Sequence, residues 1–146
     1  MIPIKQTILH DPANGQYGNC LSAVLASLLH LPIETIPVFS DPERWEPDLN
    51  EWLRPYGLAY VPLAVPDGWF SSRNIVGCYH EICGPTLRSA DVLHAMVGID
   101  GVPVHDPHPD NTGITKVDSI GVFIALMPWA FAQSNHSAAP TPPEGK

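Results

Sequence analysis

Prolines recur along this chain often enough to limit the length of every helix and strand. Seventeen of the 146 residues are proline, and several of them flank short periodic segments. Proline lacks a backbone N–H donor and its ring blocks a continuing helix, so each one favours a turn. We therefore expect short elements joined by many abrupt turns.

Size and hydropathy favour one compact domain outside the membrane. A chain of 146 residues can bury a single core, and its hydrophobic content of 45% argues against general disorder. No apolar run approaches the ~18 to 20 residues that span a bilayer, which predicts no membrane association. The first residues, MIPIKQTILHDP, lack the apolar stretch of a secretory signal. We expect a cytoplasmic protein.

Charge and cysteine content exclude further classes. Seven basic residues against fifteen acidic ones give a net charge of −8, so a nucleic-acid backbone would be repelled. The three cysteines, Cys20, Cys78 and Cys83, are odd in number and form no CxxC pair. We therefore expect neither a disulfide framework nor a zinc knuckle, and at least one thiol should be free.

Helical periodicity is confined to the first third of the chain. Apolar residues recur with helical spacing from Leu21 to Leu29, after Asn19 as a candidate N-cap and before the block at Pro32. A second, shorter helix is predicted from about Pro47 to the residue before Pro55.

Strand patterns follow the helices. The predicted strands are short, rich in β-branched and aromatic residues and bounded by turn residues; they cover Leu58–Val65, Asn74–Cys83, Val92–Ile99, Val102–Asp106 and Ile120–Trp129. Helices first and a sheet afterwards indicate an α+β fold, with the leading helix packed on a largely antiparallel sheet. We predict one domain over residues 1–131 and a disordered C-terminal tail over residues 132–146.

Cys20 stands where a helix can activate a thiol. With Asn19 as the cap, Cys20 falls in the first helical turn, where free backbone N–H groups and the helix dipole stabilise an anion. Helix N-termini can lower a cysteine pKa below its free value of ~8.5, and the thiolate is the attacking form. The alternative is that Cys20 is a small apolar residue filling a gap in the core.

His94 and Asp106 can complete a catalytic group if the hairpin between them has the right register. Asp100-Gly101 is a strong turn signal, but a strict two-residue turn would place Asp106 on the face opposite His94. A three-residue loop from Ile99 to Gly101, with Gly101 forming a bulge, places Asp106 directly across from His94. The triad hypothesis therefore predicts the bulged hairpin, with His105 on the other face.

Other chemistries find weaker support. His105, Asp106, His108 and Asp110 could suggest a metal cluster, but two prolines splay these side chains and no helical metal-binding spacing occurs. Cys78 and Cys83 lie on a predicted strand and are expected to pack in the core. His80, between them, is an alternative base without a helix dipole to support a thiolate beside it.

The segments GNCLSAVLASLLHLPIETIPVF and LHAMVGIDGVPVHDPHP resemble the papain-like cysteine peptidase superfamily. The chain is most similar to small bacterial and phage proteins with a Gly-Asn/Asp-Cys helix start and a His-Ala…His-Asp-Pro hairpin. It also resembles the bacteriocin-leader peptidase domains of ABC transporters. The resemblance covers roughly residues 4–129 and implies a papain-like fold, with Cys20 as nucleophile, His94 as acid and base, and Asp106 as the group that orients the imidazole.

The same resemblance implies a glutamine whose side-chain amide joins the Cys20 backbone amide in an oxyanion hole. The usual position, six residues before the cysteine, is Asn14 in this chain. The context of Gln6 matches the small bacterial and phage proteins, which makes Gln6 the preferred candidate, with Gln16 as the alternative.

Together these features predict a thiol hydrolase that cleaves a peptide, isopeptide or amide bond. The substrate would be a protein or peptide, and neither a metal nor an organic cofactor is required. The alternative from another class is a non-catalytic papain-fold module or effector that engages a partner protein through its acidic surface.

Overall fold

A computed structural model describes residues 1–65, 76–88 and 91–136 and has the expected α+β fold. The helices are α1 (Cys20–Leu29), α2 (Trp45–Leu53) and α3 (Pro128–His136). The strands are β1 (Leu58–Ala64), β2 (Tyr79–Pro85), β3 (Leu93–Ile99), β4 (Val102–His105) and β5 (Ser119–Ala125). Short 3-10 turns fill several of the proline-rich connections.

The five strands form one antiparallel sheet in the order β1-β5-β2-β3-β4. The antiparallel arrangement confirms the prediction from the short strand patterns. β3 pairs with β2 along its whole length, whereas its other edge pairs with β4 only from Val97 onwards. Among the described residues, Leu93–Ala95 has no strand partner on that edge.

Helices cover one face of the sheet. Val24 of α1 packs against Ala95 and Val97 of β3, and α2 packs against β1. We call this side the helix face. Val24 and Leu25 are fully buried, which accounts for the helical spacing of apolar residues in α1, and the helix ends at His30 with a left-handed backbone.

An irregular segment between β4 and β5 covers the opposite side, which we call the loop face. Ile82 and Ile120 pack there against Ile114 and Val117 from that segment. Successive side chains of a strand point to opposite faces. His94 and Met96, which alternate with Ala95 and Val97, therefore belong to the loop face.

Several predicted boundaries shift. α2 begins at Trp45, two residues before Pro47. β2 begins at Tyr79, and residues 74 and 75 of the predicted strand lie outside the described residues. The last predicted strand ends at Ala125, because Pro128 begins α3, a position where its missing N–H costs nothing. α3 continues to His136, past the predicted tail boundary at residue 132, and residues 137–146 are not described.

Candidate active site

The hairpin that carries His94 and Asp106 is bulged, but not at its turn. Ile99 pairs with Val102, so Asp100 and Gly101 form a two-residue turn with φ of 54° and 80°. Such a turn requires positive φ at both central positions, which Asp-Gly accepts. The predicted three-residue loop is therefore wrong.

The extra residue lies in β4. Gly98 pairs with Pro103, whereas Val97 pairs with His105, so Val104 has no pairing partner in β3. Without this insertion, the register of the turn would send the Asp106 side chain to the helix face. Extending the observed register by one residue places Asp106 opposite Met96. The bulge thus brings Asp106 to the face of His94, diagonally rather than directly across.

His94 and Asp106 form a buried pair. Nε2 of His94 lies 2.7 Å from Oδ1 of Asp106, and their side chains are 5% and 6% exposed. The backbone amides of His108 and Gly113 each donate to the same carboxylate at 2.8 Å. These three contacts hold the Asp106 carboxylate in a fixed orientation.

The pKa values of His94 and Asp106 are both lowered, but for different reasons. Burial lowers the pKa of His94 below its ordinary value, outweighing the hydrogen bond and charge of Asp106, which raise it. Burial alone would raise the pKa of Asp106, but hydrogen bonds from His94 and the two amides outweigh it and lower that pKa. A neutral imidazole beside a carboxylate donates through Nε2, which leaves Nδ1 as a proton acceptor. Among the described residues, Nδ1 has no hydrogen-bond partner.

Cys20 is the first residue of α1, as predicted, but its pKa is raised rather than lowered. Burial is the main cause, and the negative charge of Glu81 adds to it. The amides of Ala95, Leu21 and Cys20 itself act in the opposite direction and favour the thiolate. The expected helix-terminus effect is therefore present, but desolvation of the sulfur is larger.

Cys20 and His94 approach β3 from different sides. The amide that favours the Cys20 thiolate belongs to Ala95, the residue after His94, so the sulfur lies beside the backbone that carries the imidazole. The His94 ring projects to the loop face, and no hydrogen bond joins it to the sulfur in the described part of the chain. The edge of β3 at Leu93–Ala95 has no strand partner among the described residues.

Asn19 occupies the predicted N-cap position of α1, but its side chain has a different role. Its side chain makes no cap hydrogen bond. Instead, Oδ1 accepts from the amides of Thr7 and Ile8 at 3.1 and 2.9 Å, and Nδ2 donates to Thr7 Oγ1 at 3.0 Å. The residue before the thiol thus ties the N-terminal segment to the start of α1.

The two candidate glutamines lie in different environments. Gln6 is buried, and its Nε2 donates to the carbonyl of Ile8 at 2.9 Å, while its buried Oε1 has no hydrogen-bond partner among the described residues. A Cβ atom at Gly18 would lie 3.4 Å from Gln6 Nε2. The Gln6 side-chain amide therefore lies next to Gly18, which precedes Cys20 by two residues in the sequence. Gln16 is exposed and donates to the carbonyl of Leu9. The choice of Gln6 over Gln16 as the oxyanion residue stays a prediction.

A pocket of about 270 Å³ adjoins Cys20 on the helix face. Leu21, Phe39, Trp45, Pro62, Leu93 and Ala95 supply its apolar walls, and Tyr60, Glu81, Cys83 and Ser119 its polar groups. Its volume is below the ~300–1,000 Å³ of sites for drug-sized ligands, so it suits a single side chain.

Glu81 is the residue of this pocket that the sequence analysis missed. It is 2% exposed, and burial raises its pKa to about 8. Tyr60 donates to its Oε2 at 3.2 Å. A signal was available, since Glu81 is the one acidic residue in the strand NIVGCYHEIC, and alternation places it on the same face as Cys83.

The alternative base and the other thiols have structural surroundings. His80 is fully buried; its Nε2 accepts from the amide of Gly101 at 3.0 Å, and its Nδ1 contacts the carbonyl of Glu81 at 2.9 Å. These contacts tie β2 to the β3–β4 turn. Cys83 lines the pocket, and burial raises its pKa; Cys78 is partly buried, with its thiol 3.4 Å from the carbonyl of Tyr79.

Among the residues considered for a metal cluster, His108 and Asp110 contact each other, with His108 Nδ1 2.7 Å from Asp110 Oδ1, and the other two have separate partners. His105 contacts the carbonyl of Ile4 at 2.8 Å through Nε2, whereas Asp106 faces His94. Within residues 1–65, 76–88 and 91–136, no group of three or more His, Cys, Asp or Glu side chains is arranged to hold a metal ion. None of the described helices combines the length and apolar character needed to cross a bilayer.

Comparisons with protein-family models, with curated proteins and with solved structures found no match to this chain.

Proposed function

We propose that the chain is a papain-like thiol hydrolase that cleaves a peptide, isopeptide or amide bond. Cys20 is the nucleophile, His94 the general base and acid, and Asp106 the group that orients the imidazole. The observation that carries the proposal is the buried 2.7 Å contact between His94 Nε2 and Asp106 Oδ1, one residue from the amide that favours the Cys20 thiolate.

The shifted pKa values favour general-base activation over a preformed thiolate. Cys20 is a neutral thiol at pH 7 because its pKa is raised, and His94 is a neutral imidazole because its pKa is lowered. His94 Nδ1 therefore accepts the thiol proton as the sulfur attacks the substrate carbonyl. This step requires the ring to reach the sulfur around the free edge of β3, a movement that substrate binding would select.

The remaining steps use groups around the helix start. Attack forms a C–S bond and a tetrahedral oxyanion, which the Cys20 amide and the Gln6 side-chain amide stabilise. The imidazolium returns its proton to the leaving nitrogen as the C–N bond breaks and a thioester remains. Water, deprotonated by His94, then hydrolyses the thioester and restores the thiol. No cofactor enters this sequence.

Acylation by p-nitrophenyl acetate tests the proposal without knowledge of the substrate. Wild-type protein should release p-nitrophenol in a burst and carry an acetyl group on Cys20, detected by mass spectrometry. His94→Gln should slow this acylation by about a hundredfold, the range of general-base catalysis, and Cys78→Ala should match the wild type. Equal acylation of wild type and His94→Gln would rule out the proposed mechanism.

One observation favours a non-catalytic binding module as the second candidate. The raised pKa of Cys20 and the partly apolar pocket beside it are also what a packed thiol at the wall of a recognition pocket would show. Cys20→Ser distinguishes the two functions in a binding assay with peptides that carry one large apolar side chain. If the protein is a binding module, the Cys20→Ser variant retains both peptide binding and the protein's biological effect. If it is a hydrolase, the variant retains peptide binding but loses the biological effect.

A further inference from the structure

Lys5 is fully engaged with the segment that carries Asp106. Its ammonium donates to the backbone carbonyls of Asp106 at 2.7 Å and His108 at 3.0 Å, and to Oδ1 of Asn111 at 2.5 Å. A lysine ammonium has three N–H donors, so these contacts use its whole capacity. Lys5 therefore gathers three parts of one loop around a single atom.

The loop needs such an anchor because it is irregular. Between His105 and Ser119 the chain forms neither helix nor strand, and Asn111 and Gly113 have positive φ. The Asp106 carboxylate is oriented in part by the amides of His108 and Gly113 from this same loop. Any increase in the mobility of this loop would therefore weaken the hydrogen bonds that orient the Asp106 carboxylate.

The residues around Lys5 connect the loop to the thiol helix. Next to it, the amide of Gln6 donates to the carbonyl of Pro107 at 3.0 Å. The next two residues, Thr7 and Ile8, donate their backbone amides to the side chain of Asn19. A continuous chain of hydrogen bonds thus runs from the residue before Cys20, through the N-terminal segment, to the residue that orients His94.

We propose that Lys5 is a positioning residue of the candidate site. By holding the loop of residues 106–111 to the N-terminal segment, it keeps the Asp106 carboxylate on His94. The proposal rests on the proposed function only in treating the His94–Asp106 pair as catalytic machinery. Lys5 itself touches no reacting atom and is exposed, so its effect on global stability is small compared with its effect on the pair.

The test compares Lys5→Met with Lys116→Met by NMR. Lys5→Met keeps the length of the side chain and removes the ammonium; Lys116 is an exposed lysine paired with Asp118 and serves as the matched control. In Lys5→Met the proton between His94 Nε2 and Asp106 should exchange with solvent about tenfold faster or more. The pKa of His94 should fall further, because the carboxylate that raises it is less firmly held. Lys116→Met should change neither quantity.

A second variant keeps the proposal testable if Lys5→Met does not fold. Asn111→Gly removes one acceptor of Lys5 and suits the positive φ of that position. It should also accelerate exchange of the His94 proton, by a smaller factor. Wild-type exchange and an unchanged His94 pKa in whichever variant folds would overturn the positioning role. The readout needs no turnover, so a wild type that p-nitrophenyl acetate fails to acylate would reject the hydrolase and leave this inference standing.

Discussion

Tyr60 donates a hydrogen bond to Glu81 across the floor of the pocket beside Cys20, at 3.2 Å between the hydroxyl and Oε2. The contact joins β1 to β2, although β5 lies between these two strands in the sheet. It fits through the gap above Gly121, where a Cβ atom would lie 2.0 Å from the Tyr60 ring. A buried carboxyl group thus lies beside the thiol and accepts a hydrogen bond from a hydroxyl group.

Replacement of Glu81 by glutamine should remove a pH dependence of stability. The carboxyl has an ordinary pKa of 4.5 and a folded-state pKa of about 8. The folded state therefore holds the proton more tightly, so its contribution to stability is complete below pH 4.5 and is lost as the pH rises towards 8. The full difference corresponds to at most about 5 kcal/mol.

Urea unfolding at about pH 5 and about pH 9 measures this effect. The unfolding free energy of the wild type should fall between these values by more than that of Glu81→Gln. Glu51→Gln, which changes an exposed glutamate, should follow the wild type. Parallel pH profiles for wild type and Glu81→Gln would show that Glu81 is ionised in the folded state at neutral pH.

Deletion of Val104 should separate His94 from Asp106. Val104 is the extra residue of the bulge, and removing it restores the register in which Asp106 points to the helix face. The downfield NMR signal of the His94 Nε2 proton should disappear in the deletion variant. Val104→Ala shortens the same exposed side chain but keeps the insertion, and it should retain the signal. A signal that survives the deletion would mean that the loop, not the bulge, sets the pairing.

Asn19→Ala should destabilise the protein by about 1–3 kcal/mol, because the amides of Thr7 and Ile8 lose their acceptor. Asn19→Asp keeps an acceptor oxygen at this position and should lose less. Asn14→Ala removes an exposed asparagine side chain whose Nδ2 donates to Asp11, and it provides the matched control. Thermal or urea unfolding of the three variants gives the comparison, and equal stability of Asn19→Ala and Asn14→Ala would contradict the bridging role.

Two glycine substitutions should disturb the two faces of the sheet separately. A Cβ atom at Gly84 would lie 1.9 Å from the carbonyl oxygen of Lys116, a backbone atom of the segment on the loop face. Gly84→Ala should therefore shift that segment and the NMR signals of His94, which pairs with Gly84 in the ladder. Gly121→Ala should instead displace the Tyr60 ring and change the signals of the pocket. If both variants perturb the same residues, the two faces are coupled through the sheet.

The sequence patterns predicted the local elements well where one face of an element is buried. The spacing from Leu21 to Leu29 gave α1 to within a residue, because its apolar positions face β3 and the core. The strands β1 and β3 agree with the predicted strands to within a residue at each end. These features depend on neighbours a few residues away in the chain.

The misplaced features depend on distant contacts. Pro103, next to Val104, indicates an edge or irregular strand, but it does not specify which residue of the strand is the extra one. Asparagine is a preferred N-cap residue, but the side chain of Asn19 instead accepts hydrogen bonds from the amides of Thr7 and Ile8, which belong to another segment. The pKa of Cys20 depends on burial and on Glu81, which lies sixty-one positions later in the sequence.

The insertion at Val104 has an evolutionary consequence. It lies in a four-residue outer strand whose side chains are mostly exposed, so losing one codon there would leave the interior untouched. The same event would turn the carboxylate away from the imidazole. A lineage could therefore disarm or restore the acid–base pair through a single-residue indel while every core position stayed the same.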